Sequence, residues 1–130
     1  MADGTADVLT ALRSVLVANE TVAGLVGTRI YRMHLPQDPT LPAITFQMIS
    51  RPEDAVTAVA SPRVQYTCYA ESSTGAAALA KAVRKALHQY YGVHGDIRIS
   101  RCFFSGQHDD YDEVTGTYIV PVDFRVYYQE

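Results

Sequence analysis

The chain has 130 residues, a length that fits one domain and can bury a core without disulfides or a metal. Hydrophobic residues make up 48% and charged residues 19%, which excludes a disordered segment. A net charge of −3 gives no broad basic surface of the kind that grips nucleic acid through its phosphates.

Val8, Leu9, Leu12, Val15 and Leu16 recur at helical spacing and predict a first helix. Thr5 is the expected N-cap, with Asp7 in the first turn, where the helix dipole favours an acid. Asn19 falls near its end. "TVAGLVG" predicts a further short turn of helix, ended by Gly27 in a left-handed conformation. "TRIYRMH" reads as a short strand and "LPQDPTLP" as a loop that three prolines hold extended. In the second strand, "AITFQMIS", Ile44, Phe46 and Met48 share one face and Thr45, Gln47 and Ile49 the other. The third, "RVQYTCYA", alternates Val64, Tyr66 and Cys68 with Gln65, Thr67 and Tyr69. Twelve residues, Arg51 to Pro62, separate these two strands, whereas hairpin loops usually need about 2–5. The tip is mildly apolar (Val56, Ala58, Val59, Ala60), and Arg51, Glu53, Asp54 and Arg63 surround its base. Either the strands extend into a tall hairpin, or the segment is a flexible arm that orders on a partner.

"ESSTGAAALAKAVRKALHQYYG" is the clearest helix, capped by Ser73 or Thr74, striped by Leu79, Val83, Leu87 and Tyr90, and ended by Gly92. Its alanines let another backbone approach closely, either the sheet beneath or a neighbouring subunit. "DIRISRCFF" is a fourth strand of poorer alternation, because Arg101 interrupts the row of Ile97, Ile99 and Phe103. "SGQHDDYDEVTG" turns the chain into the final strand, where Tyr118, Val120, Val122, Phe124, Val126 and Tyr128 fall on every second residue. Pro121 sits inside that strand and cannot donate to a ladder, which points to an edge or a bulge. A long edge is an aggregation hazard unless something covers it. The whole reads as one α+β domain over residues 1–130. Its core is a single, mostly antiparallel sheet of four to five strands, with two helices packed on one face.

Nine tyrosines and no tryptophan suit strands, and equally suit contacts that stay wet on one side. Nine of the eleven basic residues are Arg, which makes planar bidentate pairs and is favoured at interfaces. No apolar run reaches the roughly 18–20 residues that span a bilayer. "MADGTADVL" lacks the basic-then-apolar pattern of a signal peptide, so the expected site of synthesis and folding is a cytoplasm. Cys68 and Cys102 match no metal spacing and read as reduced, half-buried sheet thiols, the alternative being a disulfide.

Catalytic patterns are missing. His34, His88, His94 and His108 have no i, i+4 pair. There is no G-x-S-x-G elbow and no phosphate-cradling glycine loop. The one constellation is "HDDYDEVTG", with Asp109, Asp110, Asp112 and Glu113. It could bind calcium or act as an acid/base pair, but its order does not fit an EF-hand, and a solvated acidic turn is the plainer reading.

Taken together, "LVGTRIY", the proline loop closing on "LPAITFQMIS", "VQYTCYA", "AAALAKAVRKAL" and the closing "YDEVTGTYIVPVDFRVYY" resemble the tail-completion, or tail-terminator, proteins of long-tailed bacteriophages and phage-like particles. The likeness runs from about Ala6 to Tyr128 and carries no catalytic motif. It implies a structural virion protein, not an enzyme, with no cofactor and no metal. It is assembled in the bacterial host cytoplasm and located at the head-proximal end of the tail, with no membrane. It further implies a ring, commonly of six copies, that stacks on the tail tube protein, ends tube growth and offers a surface to a head–tail connector or stopper. DNA passes through the lumen without specific binding. On this reading Arg51, Glu53, Asp54, Val56, Val59 and Arg63 are candidate contacts to the tube or a neighbour. Asp109, Asp110, Asp112 and Glu113 are candidates for the lumen or a ring face, and Arg125, Tyr127 and Tyr128 for a subunit-interface strand. Rival readings are another neck protein, a small metal-assisted enzyme using the acidic loop, and an adaptor that adds a peptide strand at the exposed edge.

Overall fold

The structure, a computed structural model, describes residues 7–130. In chain order the elements are α1 (Val8–Ala18), α2 (Glu20–Val26), β1 (Ile30–Arg32), β2 (Ala43–Ser50), β3 (Arg63–Ala70), α3 (Ser73–Leu87), β4 (Gly92–His94), β5 (Ile97–Gln107), β6 (Asp110–Asp112) and β7 (Thr117–Gln129). The α+β character holds, but among the described residues the sheet has seven strands rather than four to five, and there are three helices rather than two.

Local chemistry explains the helix ends. Thr5, the expected cap, lies outside the described residues. Asp7 itself caps α1: its carboxylate accepts the Thr10 N–H at 2.9 Å and pairs with Arg32 at 3.0 Å. Burial alone would raise the Asp7 pKa; the bonds from Arg32 and Thr10 outweigh it and hold the group below its ordinary value. Asn19 closes α1 and opens α2, accepting the Val22 N–H at 3.0 Å, and the two helices meet at 88°. Gly27 then ends α2 at φ +60°, a conformation that favours glycine. Ser72 caps α3, not Ser73 or Thr74. The helix stops at Leu87, before Gln89 turns left-handed (φ +65°), and Gly92 opens β4 instead of ending the helix. The short β4–β5 hairpin went unread because three residues are too few to show a period.

The sheet order is β1-β2-β3-β7-β5-β4, with β6 also pairing β7. β1 and β2 are parallel, and every other pairing is antiparallel. The proline loop carries the chain back to the starting end of β1 before β2 begins, which a hairpin turn cannot do.

The main correction concerns β7. It is the centre of the sheet, not an edge: β3 pairs along one flank from Ala70 to Arg63, and β5 and β6 fill the other. Pro121 is tolerated for a local reason. The Val126 N–H points to the β3 side, bonding the Pro62 carbonyl, so by the period of two the N position of Pro121 faces away from β3. There it meets the break between β5, whose Gln107 pairs Val122, and β6, whose Asp110 pairs Ile119. No ladder donor is needed at that point.

Poor alternation in β5 also has a cause. Register shifts fall between Ile99 and Arg101 and between Phe104 and Gly106. After the first bulge the inward row continues as Cys102 and Phe104, so Phe103 points outward.

The core lies between one sheet face and the helices. Val120, Val122, Phe124, Val126 and Tyr128 are buried, while Ile119, Pro121, Asp123 and Arg125 on the opposite row stay half-exposed. Tyr66 and Phe124 sit at its middle, edge to face with centroids 5.8 Å apart, and Phe104 packs on Phe124 at 6.0 Å. The alanines of α3 serve the core at Ala76, Ala80 and Ala82, under the stripe of Leu79, Val83 and Leu87, whereas Ala77 and Ala78 are exposed. Cys68 and Cys102 are free and fully buried rather than half-buried, and burial pushes both thiols up to about 12. The buried Tyr66 hydroxyl has no hydrogen-bond partner among the described residues.

Candidate assembly surfaces

Three surfaces stand out, and the strand directions place two of them at opposite ends of β7. The first is the β2–β3 hairpin. The twelve-residue segment is not a free arm: it folds back as the tall hairpin. Ala60 and Tyr128 exchange both backbone bonds at 2.9 and 3.0 Å, Arg125 donates to the Ser61 carbonyl at 2.8 Å, and Gln129 donates to the Thr57 carbonyl at 2.8 Å. At its base, Arg51 donates to the Tyr128 hydroxyl (2.8 Å), Glu53 (2.8 Å) and Glu130 (3.1 Å). The Tyr128 and Glu53 bonds raise the Arg51 pKa above its ordinary value. Asp54 accepts the Val56 and Thr57 N–H groups at 2.8 and 2.9 Å, which lowers its pKa and tightens the tip. Arg63 pairs with Asp123 at 2.8 Å. The charged residues nominated from this loop are thus held within the chain. Val56, 94% exposed, is what the tip presents, with Val59 half-buried below it.

The second surface is the β6–β7 hairpin at the other end. Asp112 shapes its turn, accepting the Val114 N–H on the side chain at 3.0 Å and the Gly116 N–H on the backbone at 2.8 Å. Asp110–Asp112 is a strand rather than a plain turn, and Tyr111 packs on Tyr118 with centroids 4.7 Å apart. The four nominated carboxylates diverge. Asp109, Asp110 and Glu113 line a cleft of about 790 Å³ against the start of α3 (Ser73 to Ala77), and Asp112 lines a second, beside Asp38 of the proline loop. Neither cleft is lined by Lys or Arg. The positive end of the α3 dipole offsets part of this charge. No group of three His, Cys, Asp or Glu side chains among the described residues is arranged to hold a metal ion.

The third surface is one that sequence reasoning missed. On the outer edge made by β4 and β5, Tyr91 and Val93 are 66% and 67% exposed, and Phe103 and Tyr127 are also exposed. Arg101 stacks over Tyr91 at 4.9 Å, Phe103 meets Tyr127 edge to face at 6.0 Å, and Val93 lies opposite Arg98 across the ladder. The signal was present: an apolar residue on the polar row of a strand marks either a bulge or a contact, and here the bulge is observed. Of the nominated interface strand, Tyr127 belongs to this patch, Arg125 is half-buried on the same sheet face, and Tyr128 is buried in the core. Because both flanks of β7 are filled, its backbone has no free ladder to offer a sibling strand.

Comparison with known proteins agrees with the sequence resemblance. The chain matches no curated protein. A chain in a structure titled "Virion of native gene transfer agent (GTA) particle" shares its fold, with a TM-score of 0.76 at 21% identity over 92% of each chain. The pattern of the family described as "Tail completion protein gp17" runs through residues 10–129. From α1 to the end of β7, therefore, this chain is a member of the tail completion protein gp17 family, a structural component of a virion tail.

Proposed function

We propose that copies of this chain form a closed ring, of six in the family pattern, on the head-proximal end of a tail tube. There they end tube growth and present a surface for head attachment. The observation that carries this is the unlikeness of the two ends of β7: an acidic, cleft-flanked hairpin at one, and a braced hairpin with an apolar Val56 tip at the other. A subunit with two different ends gives a ring two different faces. One face can match the last tube ring while the other offers nothing for the next tube ring to stack on. No bond is made or broken.

The tall hairpin suits the tube side, because Arg51, Asp54 and the β7 ladder hold Val56 in place before contact. Asp112 and Asp38 suit a surface that DNA passes, since carboxylates repel the phosphate backbone and let duplex slide. The family membership and the fold shared with a chain of a gene transfer agent virion support this setting, with the tube protein and a connector or stopper as partners. Electron micrographs of particles assembled without the chain test it. Overlong tails are expected. Tails of normal length that lack heads would instead make it a joining protein of the neck, and normal headed particles would remove both readings.

A further inference from the structure

The outer face of the sheet, away from the helices, changes character toward the Gln129 end of β7. Four of the ten large hydrophobic side chains that the described residues expose stand there: Tyr91, Val93, Phe103 and Tyr127. Arg98 and Arg101 stand among them, both exposed. The patch runs from the Arg98–Gln129 pair to the Phe103–Arg125 pair, about 13 Å along the strands. The carboxylates near it are mostly engaged: Glu53 and Glu130 by Arg51, Asp123 by Arg63, and Asp54 by the backbone of its own turn. No salt bridge among the described residues involves Arg98 or Arg101, or Asp96 in the turn beside them. Arg101 reaches only the Gln89 carbonyl, at 3.4 Å, and the face of Tyr91, at 4.9 Å. A guanidinium stacked on a ring keeps donors of its fork free for a carboxylate. Aromatic residues with arginine are the composition that contact cores favour.

We infer that this patch seats an acidic segment of the tail tube protein, laid along the sheet face beside the tall hairpin. The inference rests on the terminator reading above, which gives this end of β7 to the tube, and adds the surface and the chemistry of the contact. Two uncommitted arginines call for carboxylates, and the side chains between them call for apolar groups on the same segment. The patch reaches inward from the end of the sheet, so the partner extends a segment over the face and does not merely abut its rim. Val56 lies at the same end, on the β3 flank of β7, and gives that partner a second point of contact. A second copy meeting the patch with its own would set arginine against arginine. Duplex DNA would find only two arginines, an apolar surface and the nearby carboxylates of Asp96, Glu53 and Glu130.

Tail tubes assembled without this chain, purified and mixed with it, test the inference by co-sedimentation. The wild-type chain is expected to bind them, and less tightly as salt rises. Arg98→Glu with Arg101→Glu is expected to weaken binding by roughly a hundredfold, and Arg98→Gln with Arg101→Gln by about tenfold. The same reversal on the exposed side of α3, Lys81→Glu with Lys85→Glu, is expected to leave binding within about twofold of wild type. Every variant is expected to unfold in urea as wild type does, and to sediment like wild type when no tubes are present. The inference is overturned if the wild-type chain does not bind tubes, if the Glu variant binds them like wild type, or if the α3 variant loses as much. It is also overturned if the Glu variant sediments as a smaller species without tubes, which would make the patch a contact between copies, or if duplex DNA displaces the tubes. Tail length reads the terminator claim separately. Overlong tails without the chain, alongside an unaffected Glu variant, would sink the patch and keep the terminator. Tails of normal length, alongside tube binding that the Glu variant loses, would do the reverse.

Discussion

β7 and the β4–β5 edge belong to one sheet and meet opposite environments. β7 has a neighbour on each flank and helices over its inward row, so Val120 to Tyr128 are each at most 3% exposed at every second residue. The edge has β4 along only three residues, two bulges, and apolar side chains facing outward. The difference teaches how to weigh a pattern. A long, clean alternation reports burial on one face under a continuous ladder, which is the condition of a central strand. A broken alternation with aromatics and arginines on the wrong row reports a bulged strand whose outer side chains stay exposed. The length of the final strand suggested an exposed edge only because Pro121 was given more weight than the regularity around it.

The sharpest way to break the comparison is to truncate one phenylalanine from each region. Phe124→Ala removes a fully buried ring touching Tyr66 and Phe104, and is expected to cost about 3–5 kcal/mol in urea unfolding. Phe103→Ala, at a side chain 42% exposed, is expected to cost less than about 1 kcal/mol. Equal losses of stability would mean that the edge is core after all. Alkaline pH gives the next largest effect. Cys68 on β3 and Cys102 on β5 flank β7 on either side, and burial moves both thiols from 9.0 to about 12. Below pH 9 the thiol is neutral in both states and costs nothing. Above it the unfolded chain releases the protons first, so stability falls as pH climbs from 9 toward 12. The loss is about 1.4 kcal/mol per thiol for each pH unit. Thiol reagents at pH 8 are expected to label neither cysteine until the chain unfolds, and rapid labelling of the folded chain would contradict a closed core. The smallest effect is at Tyr66. Its hydroxyl is buried without a partner among the described residues, so Tyr66→Phe is expected to raise stability by about 1 kcal/mol, and a loss instead would reveal a bridging water.

Much of this was legible in the residues. The strand bounds Ala43–Ser50 and Arg63–Ala70, the stripe of α3 and the left-handed Gly27 follow from period and turn chemistry that act locally. Strand order was not legible, because the pairing of β7 with β3 and β5 is decided by contacts across dozens of residues. The site was half legible. The acidic hairpin announced itself by composition, but its division between two clefts depends on where α3 and the proline loop end up. The charged residues of the tall hairpin read as candidate contacts, and the fold shows that they also brace it, since a sequence does not say that Arg51 will find Tyr128 and Glu130.

The missing rung at Pro121 has a mechanical outcome. On that flank the zipper of hydrogen bonds is interrupted where β5 hands over to β6, and the hairpin beyond it hangs on β7 by three residue pairs. Fraying of that tab stops at the seam instead of unravelling inward, so the amides of Asp110–Asp112 exchange with solvent well before those of Ile99–Phe104. The tab can tilt to suit whatever it meets while the trunk of the sheet keeps its shape.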